Sequence, residues 1–193
     1  MTAPRPGSHP RRLALALAGL ALAGCTNGPG KGGDTMALQL TSTAFTADGD
    51  MPRRLTCQGE DLSPSLAWSD APAGTKSFAL IVDDPDAPDP AAPQRTWVHW
   101  VAYNLPADVA ALEEGASAKL PSGGVDGRND WGRTGYGGPC PPVGRHRYFH
   151  KLYALDTVLP AGDPLDKAML ERAMDGHVLA RAELVGTYQK QAP

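Results

Sequence analysis

The chain lacks the short signatures that announce most enzymes. It has no P-loop, no G-x-S-x-G elbow, no H-E-x-x-H and no C-x-x-C. Positive charge is scarce as well. Lys and Arg together number 18 against 21 Asp and Glu, for a formal net charge of -3. That balance excludes the basic footprint of a nucleic-acid-binding protein. Aromatic residues make up only 6% of the chain, and there are three cysteines. The apolar run Leu13 to Leu22 is too short to cross a bilayer as a helix. Against these shortages stand 22 Gly and 19 Pro, counts that suit a domain of strands and loops. With 41% hydrophobic residues in 193 positions, the chain can bury an ordinary core in one domain with extras.

The extras lie at the start. Arg5, Arg11 and Arg12 precede the apolar run, which ends in Leu22-Ala23-Gly24-Cys25. This resembles a bacterial lipobox, in which Cys25 becomes the first mature residue and carries lipid on its thiol. The expectation is a lipoprotein signal over 1–24, a Gly-rich polar tether over 25–35 and a folded domain over 36–190. The mature protein is then expected in the cell envelope, membrane-anchored and facing the periplasm or exterior. If Cys25 is lipidated, Cys57 and Cys140 remain, in an oxidising compartment. The expectation is a Cys57–Cys140 disulfide, with two separate buried thiols as the alternative.

Within the domain, period-two patterning predicts strands over Leu38–Phe45, Ser65–Trp68, Ser77–Val82, Thr96–Asn104 and Arg145–Asp156. The strand at Ser77–Val82 stops at a turn-like Asp83-Asp84-Pro85-Asp86-Ala87-Pro88. In the fourth strand, Trp97, His99, Val101 and Tyr103 share one face and Val98, Trp100 and Ala102 the other. The Gly- and Pro-rich segment Ser122 to Gly144 reads as a long loop. Asp163 as N-cap and Pro164 as first residue open a helix carrying Leu165, Met169, Ala173 and Met174. Gly176 separates it from a second helix, His177–Tyr188. Strands first and helices last imply a mostly β fold, an antiparallel sheet core with C-terminal helices.

The polar residues worth weighing sit at strand ends. Asp84 and Asp86 would point the same way in an extended chain, although Asp and Pro also make plain turns. His99 stands in an apolar strand and must satisfy two ring nitrogens, with a carboxylate or with a ligand. His146 and Tyr148 share a strand face and could donate to an oxyanion, or simply pack in the core.

Taken together these pieces resemble a known family. Asp83-Asp84-Pro85-Asp86-Ala87-Pro88, Trp97-Val98-His99-Trp100, Gly137-Gly138-Pro139-Cys140-Pro141-Pro142 with Gly144, and His146-Arg147-Tyr148 are similar to the phosphatidylethanolamine-binding proteins, most of all to their bacterial Raf kinase inhibitor-like branch. Thr56-Cys57-Gln58-Gly59, Ala71 to Ser77 and Gly176-His177-Val178-Leu179-Ala180 agree with it, so that the resemblance spans about Met36 to Tyr188. It implies a β-sandwich with a large antiparallel sheet, a smaller sheet, C-terminal helices and an anion pocket at one end. By position the pocket residues would be Asp84, Asp86, His99, Gly138, Pro141, His146 and Tyr148. The ligand would be phosphate-like or a carboxylate, with no cofactor and no metal. Bacterial members look like homodimers, and relatives inhibit kinases or serine proteases, so an envelope protein partner is the alternative reading. A hydrolase is less favoured, because no activated nucleophile is evident.

Overall fold

The structure is a computed structural model and describes residues 37–192. The signal segment, Cys25 and the tether lie outside the described residues. Eight strands, one helix and one 3-10 turn follow in the order β1 (Gln39–Thr41), the turn Arg53–Leu55, β2 (Leu66–Ser69), β3 (Ser77–Ala87), β4 (Arg95–Pro106), β5 (Ala111–Leu112), β6 (Val125–Asp126), β7 (Arg145–Leu155), α1 (Lys167–Ala173) and β8 (Val178–Gln189). A large sheet runs β6-β4-β3-β7-β8 and a small one β1-β2-β5. Every neighbouring pair in both is antiparallel.

The central strand β3 is buried on both faces, as its continuous apolar run requires. Phe78, Leu80 and Val82 join Leu40, Leu66, Trp68 and Leu112 of the small sheet in the core between the sheets. Ala79 and Ile81 face the other way, into a second cluster with Leu170 and Met174 on and beside α1. The strand does not stop at Val82. It continues to Ala87, so Asp83, Asp84 and Asp86 are strand residues rather than turn residues. Consecutive side chains therefore take opposite faces. Asp83 is fully buried against Lys151 Nζ at 2.7 Å and Lys167 Nζ at 2.5 Å, which fastens α1 to the sheet. Asp84 turns to the other side.

Three expectations from the sequence need correction. The first strand is short: after Thr41 the Ser42 hydroxyl accepts from Ala44 N and donates to Ser65 O, bending the chain away from the sheet. The helix begins at Lys167, with Asp166 rather than Asp163 as its N-cap, its side chain accepting from Met169 N at 2.8 Å. The carbonyl of Leu165 is already committed to Arg128 N at 2.8 Å, so the helical ladder starts beyond it.

The expected second helix, His177–Tyr188, is a strand, and there is one C-terminal helix rather than two. Ala180, Ala182, Leu184 and Tyr188 reach the core at even spacing, with Gly186 between the last two on the same face, and β7 offers an edge that β8 pairs from Leu155↔Val178 to Arg145↔Gln189. An unpaired β7 edge would leave its backbone groups without partners, which tertiary pairing resolves against local helix preference. Gly186 serves the same packing, since a Cβ there would lie 2.7 Å from Met51 Cγ and 2.9 Å from Phe45 Cε2.

Candidate anion pocket

Cys57 and Cys140 are joined in a disulfide with a Cα–Cα distance of 5.5 Å. It ties the segment after the 3-10 turn to the Gly- and Pro-rich loop. The Cys57 N–H also donates to Pro139 O at 3.2 Å, and Gly138 N to Asp61 Oδ1 at 2.6 Å. The loop is thereby held across one end of the large sheet. A cleft of about 530 Å³ lies there, lined by Asp84, Ala87, Pro88, Gln94, Arg95, Trp97, His99, Trp131, Cys140, Pro141, Pro142 and His146.

His99 enters this cleft through an irregularity. Val82 pairs with Trp100, but Asp83 pairs with Val98, so His99 is the extra residue of a β-bulge. As a result Val98 and Val101 pack in the same helix-side cluster, which simple alternation forbids. The expected face shared by Trp97, His99, Val101 and Tyr103 is broken at this point. His99 is instead placed among Asp84, Trp131 and Tyr148, with the Trp131 and Tyr148 rings edge-on at 5.1 Å each.

The hydrogen bonds fix which atoms can give and which can take. Nδ1 of His99 lies 2.6 Å from Gly137 O. A carbonyl only accepts, so Nδ1 carries the proton. Nε2 has no partner. Burial, partly offset by the Gly137 bond, lowers the His99 pKa to about 4. The ring is therefore neutral at pH 7, and Nε2 presents a lone pair. The 4.0 Å approach of Nε2 to Asp84 Oδ2 is accordingly not an ion pair in this state.

His146 is engaged on both nitrogens. Nε2 donates to Val143 O at 2.9 Å, and Nδ1 lies 2.7 Å from Asp84 Oδ2. Asp84 Oδ1 accepts from Asp86 N at 2.8 Å. Burial raises the Asp84 pKa, against the lowering effect of the His146 and Asp86 bonds. A single proton thus serves the short contact between Asp84 and His146. Whichever side holds it, the pair has no net charge.

The structure brings Asp84, His99, Pro141 and His146 together in the lining and places the other expected residues differently. Asp86 turns to Arg147, accepting at 2.9 Å from Nε and 2.7 Å from Nη2, and this bond holds its carboxyl below the usual range. Tyr148 lies behind the histidines, its hydroxyl buried without a partner and its pKa raised well above the ordinary value by burial. Gly138 packs against the turn: a Cβ would sit 2.4 Å from Leu55 O.

Sequence reasoning passed over the aromatic and basic part of the wall. Arg95 stacks on Trp97 at 3.9 Å, and Trp97 meets Trp131 edge-on at 5.2 Å. Arg95 is the permanent cation among the described lining residues. Trp97 stood in a quoted motif and could have been found there; Trp131 belongs to the loop and carried no local signal. Among the described residues no group of His, Cys, Asp and Glu is arranged to hold a metal ion, and no helix is long and apolar enough to cross a membrane.

Comparison with known proteins bears on the same region. The family profile described as phosphatidylethanolamine-binding protein matches residues 41–189. A UPF0098 protein of Methanothermobacter thermautotrophicus is 48% identical over 155 residues, covering 79% of this chain and 99% of that protein. Among solved structures, a putative phosphatidylethanolamine-binding protein homologue of Chlamydia trachomatis superposes with a TM-score of 0.73 at 45% identity, covering 80% of this chain and 99% of that one. YbcL of Escherichia coli, described as a member of the mammalian family, gives a TM-score of 0.73 at 36% identity, covering 81% and 100%. With the profile spanning most of the described residues and these relatives covered almost end to end, the chain belongs to the phosphatidylethanolamine-binding protein family.

Proposed function

We propose that the chain is a binding protein for a small anion, a phosphate-like or carboxylate group such as a phospholipid head group, carried on an envelope lipoprotein. The observation that carries this reading is the unpartnered Nε2 of buried His99 in a cleft walled by Asp84, His146, Trp97, Trp131 and Arg95. A buried polar atom without a partner calls for an explanation, and His99, unlike Tyr148 and His150, lines the cleft, where a ligand can complete the bonding. Arg95 at the rim supplies the positive charge an anion needs. The reading is of a binding protein: in the lining Asp84 and His146 are bonded to each other, and Cys140 is in the disulfide.

Titration with inorganic phosphate or phosphoethanolamine tests this. Weak binding is expected, lost in His99→Ala. An unchanged titration in that variant removes His99 from the site.

A protein partner in the envelope, such as a serine protease, is the second reading. Trp131 is 42% exposed at the cleft and Val143, beside the lining Pro142, is 52% exposed. Large apolar groups at a pocket mouth suit an interface. A partner captured from envelope extract and released by Trp131→Ser would favour it; a partner retained by that variant would place the contact elsewhere.

A further inference from the structure

The donor and acceptor roles at the cleft wall restrict what kind of anion fits, and this restriction rests on the anion-binding reading above. An ordinary oxyanion site offers donors. Here two lining nitrogens are unpartnered among the described residues: the Trp97 indole Nε1 is such a donor, but Nε2 of His99 is an acceptor, because its other nitrogen gives its proton to Gly137 O. A fully ionised oxygen set against that lone pair would meet repulsion. A hydroxyl set there would complete a hydrogen bond.

The groups facing His99 reinforce this. From β3 come Asp84, at 4.0 Å, and Asp83 on the opposite face of the strand. From β7 come His146, Tyr148 and His150. The loop contributes the Trp131 ring and the Gly137 carbonyl. The Asp84–His146 pair is neutral in sum, and Asp83 with Glu171 balances Lys151 and Lys167. Arg95 stands further out, exposed and stacked on Trp97. The one permanent cation among the described lining residues, Arg95, matches a monoanion. A second negative charge would be desolvated without a counter-charge, and the penalty of burying charge rises steeply with its magnitude. Burial also keeps His99 neutral down to about pH 4, so the imidazole does not readily supply the missing proton itself.

We infer that the pocket takes a phosphate monoester, or inorganic phosphate, in its singly protonated form, the P–OH donating to Nε2 of His99, and that it discriminates against phosphate diesters, which have no such hydroxyl. Wherever the proton rests along that hydrogen bond, the complex holds one proton more than a dianion in a neutral site. The ligand class is therefore a released head group or free phosphate rather than the phosphodiester of an intact lipid.

Calorimetric titration of the full chain with methyl phosphate and dimethyl phosphate, across about pH 5 to 8.5, tests this. The monoester should bind with nearly constant affinity below its second ionisation, near pH 6, and lose about tenfold per pH unit above it. Heats measured in two buffers of different ionisation enthalpy should show about one proton taken up per ligand at the alkaline end. Dimethyl phosphate should bind at least about tenfold more weakly at pH 6, a difference of about 1.4 kcal/mol. Phosphoethanolamine and glycerophosphoethanolamine distinguish the two sources, and the monoester should again be preferred. A flat pH profile, or equal affinity for dimethyl phosphate, overturns the inference and leaves anion binding standing. Equal affinity for glycerophosphoethanolamine overturns it too, assigning the donor to the ammonium. Failure of every phosphate compound to bind at any pH removes the inference, and failure of acetate as well removes the anion-binding reading.

Discussion

Nε2 of His99 stands 4.0 Å from Oδ2 of Asp84, too far for a hydrogen bond, while that same oxygen holds Nδ1 of His146 at 2.7 Å. Asp84 thus serves one histidine and leaves the other unpartnered. Burying its carboxyl raises its pKa, so the folded state binds the Asp84 proton more tightly than the unfolded chain does. Stability from this group is present at acid pH and lost as pH rises from about 3.8 through the folded value. Asp84→Asn removes that loss and keeps an acceptor for Asp86 N and a donor towards His146. The variant should be as stable as the parent or up to about 1 kcal/mol more stable at pH 7, the gap closing below pH 4. Urea denaturation at the two pH values checks it.

Acid should weaken the fold well above the carboxylate range. His99 and His150 both have pKa values lowered to about 4, burial being the main cause in each. The unfolded chain takes up these protons near pH 6.5, whereas the folded one resists until about 4. Stability is therefore full above pH 6.5 and declines as pH falls through that window, by roughly 3 kcal/mol for each group as an upper order of magnitude. His150→Leu, which removes a buried ring with an unpartnered Nε2, should flatten the decline by about half between pH 6.5 and 4.5. Denaturation midpoints across that range provide the measurement.

The disulfide closes a sequence separation of 83 residues, for which loop closure predicts about 4.5 kcal/mol of stabilisation. Cys57→Ser paired with Cys140→Ser should lower the unfolding free energy by about that amount, or somewhat less if the denatured chain keeps structure. Because Cys140 also lines the cleft, phosphate affinity should fall as well, read by titration under conditions where the variant is folded.

Gly138 faces main-chain and carboxylate atoms rather than a ligand. Its absent Cβ would lie 2.4 Å from Leu55 O, 2.5 Å from Asp61 Oδ1 and 2.9 Å from Thr56 Cα. Two of the three are backbone atoms, which cannot swing aside. Gly138→Ala should destabilise the fold by about 2 kcal/mol, with a loss of phosphate affinity following from displacement of the loop. A thermal melt showing no change would place this contact elsewhere.

Much of the strand order was legible because β3, β4 and β7 carry long apolar or alternating runs that local physics reads correctly. The last strand was not. Arg181, Ala182 and Glu183 have no strong strand preference, and β8 exists because β7 offers it an edge. In the cleft, Asp84, His99 and His146 could be named from motifs. Their roles could not, because the bulge that re-aims His99 is a matter of register between strands. Trp131 reaches the cleft only through the path of its loop, where Asn129 Oδ1 accepts from Trp131 N. Asn129 shapes that turn, but no residue pattern around it tells which part of the fold the indole will meet.

One main-chain oxygen fixes the hydrogen-bonding character of the cleft wall. The carbonyl of Gly137 selects the tautomer of His99, and with it the sign of the hydrogen bond the ring can make on its far side. Were that carbonyl withdrawn, the ring proton could move to Nε2, and the same imidazole would become a donor suited to a fully ionised oxygen. On the proposed reading, ligand preference is set by a backbone atom with no side chain to mutate. Relatives with an identical histidine and a different loop path can differ in what they hold.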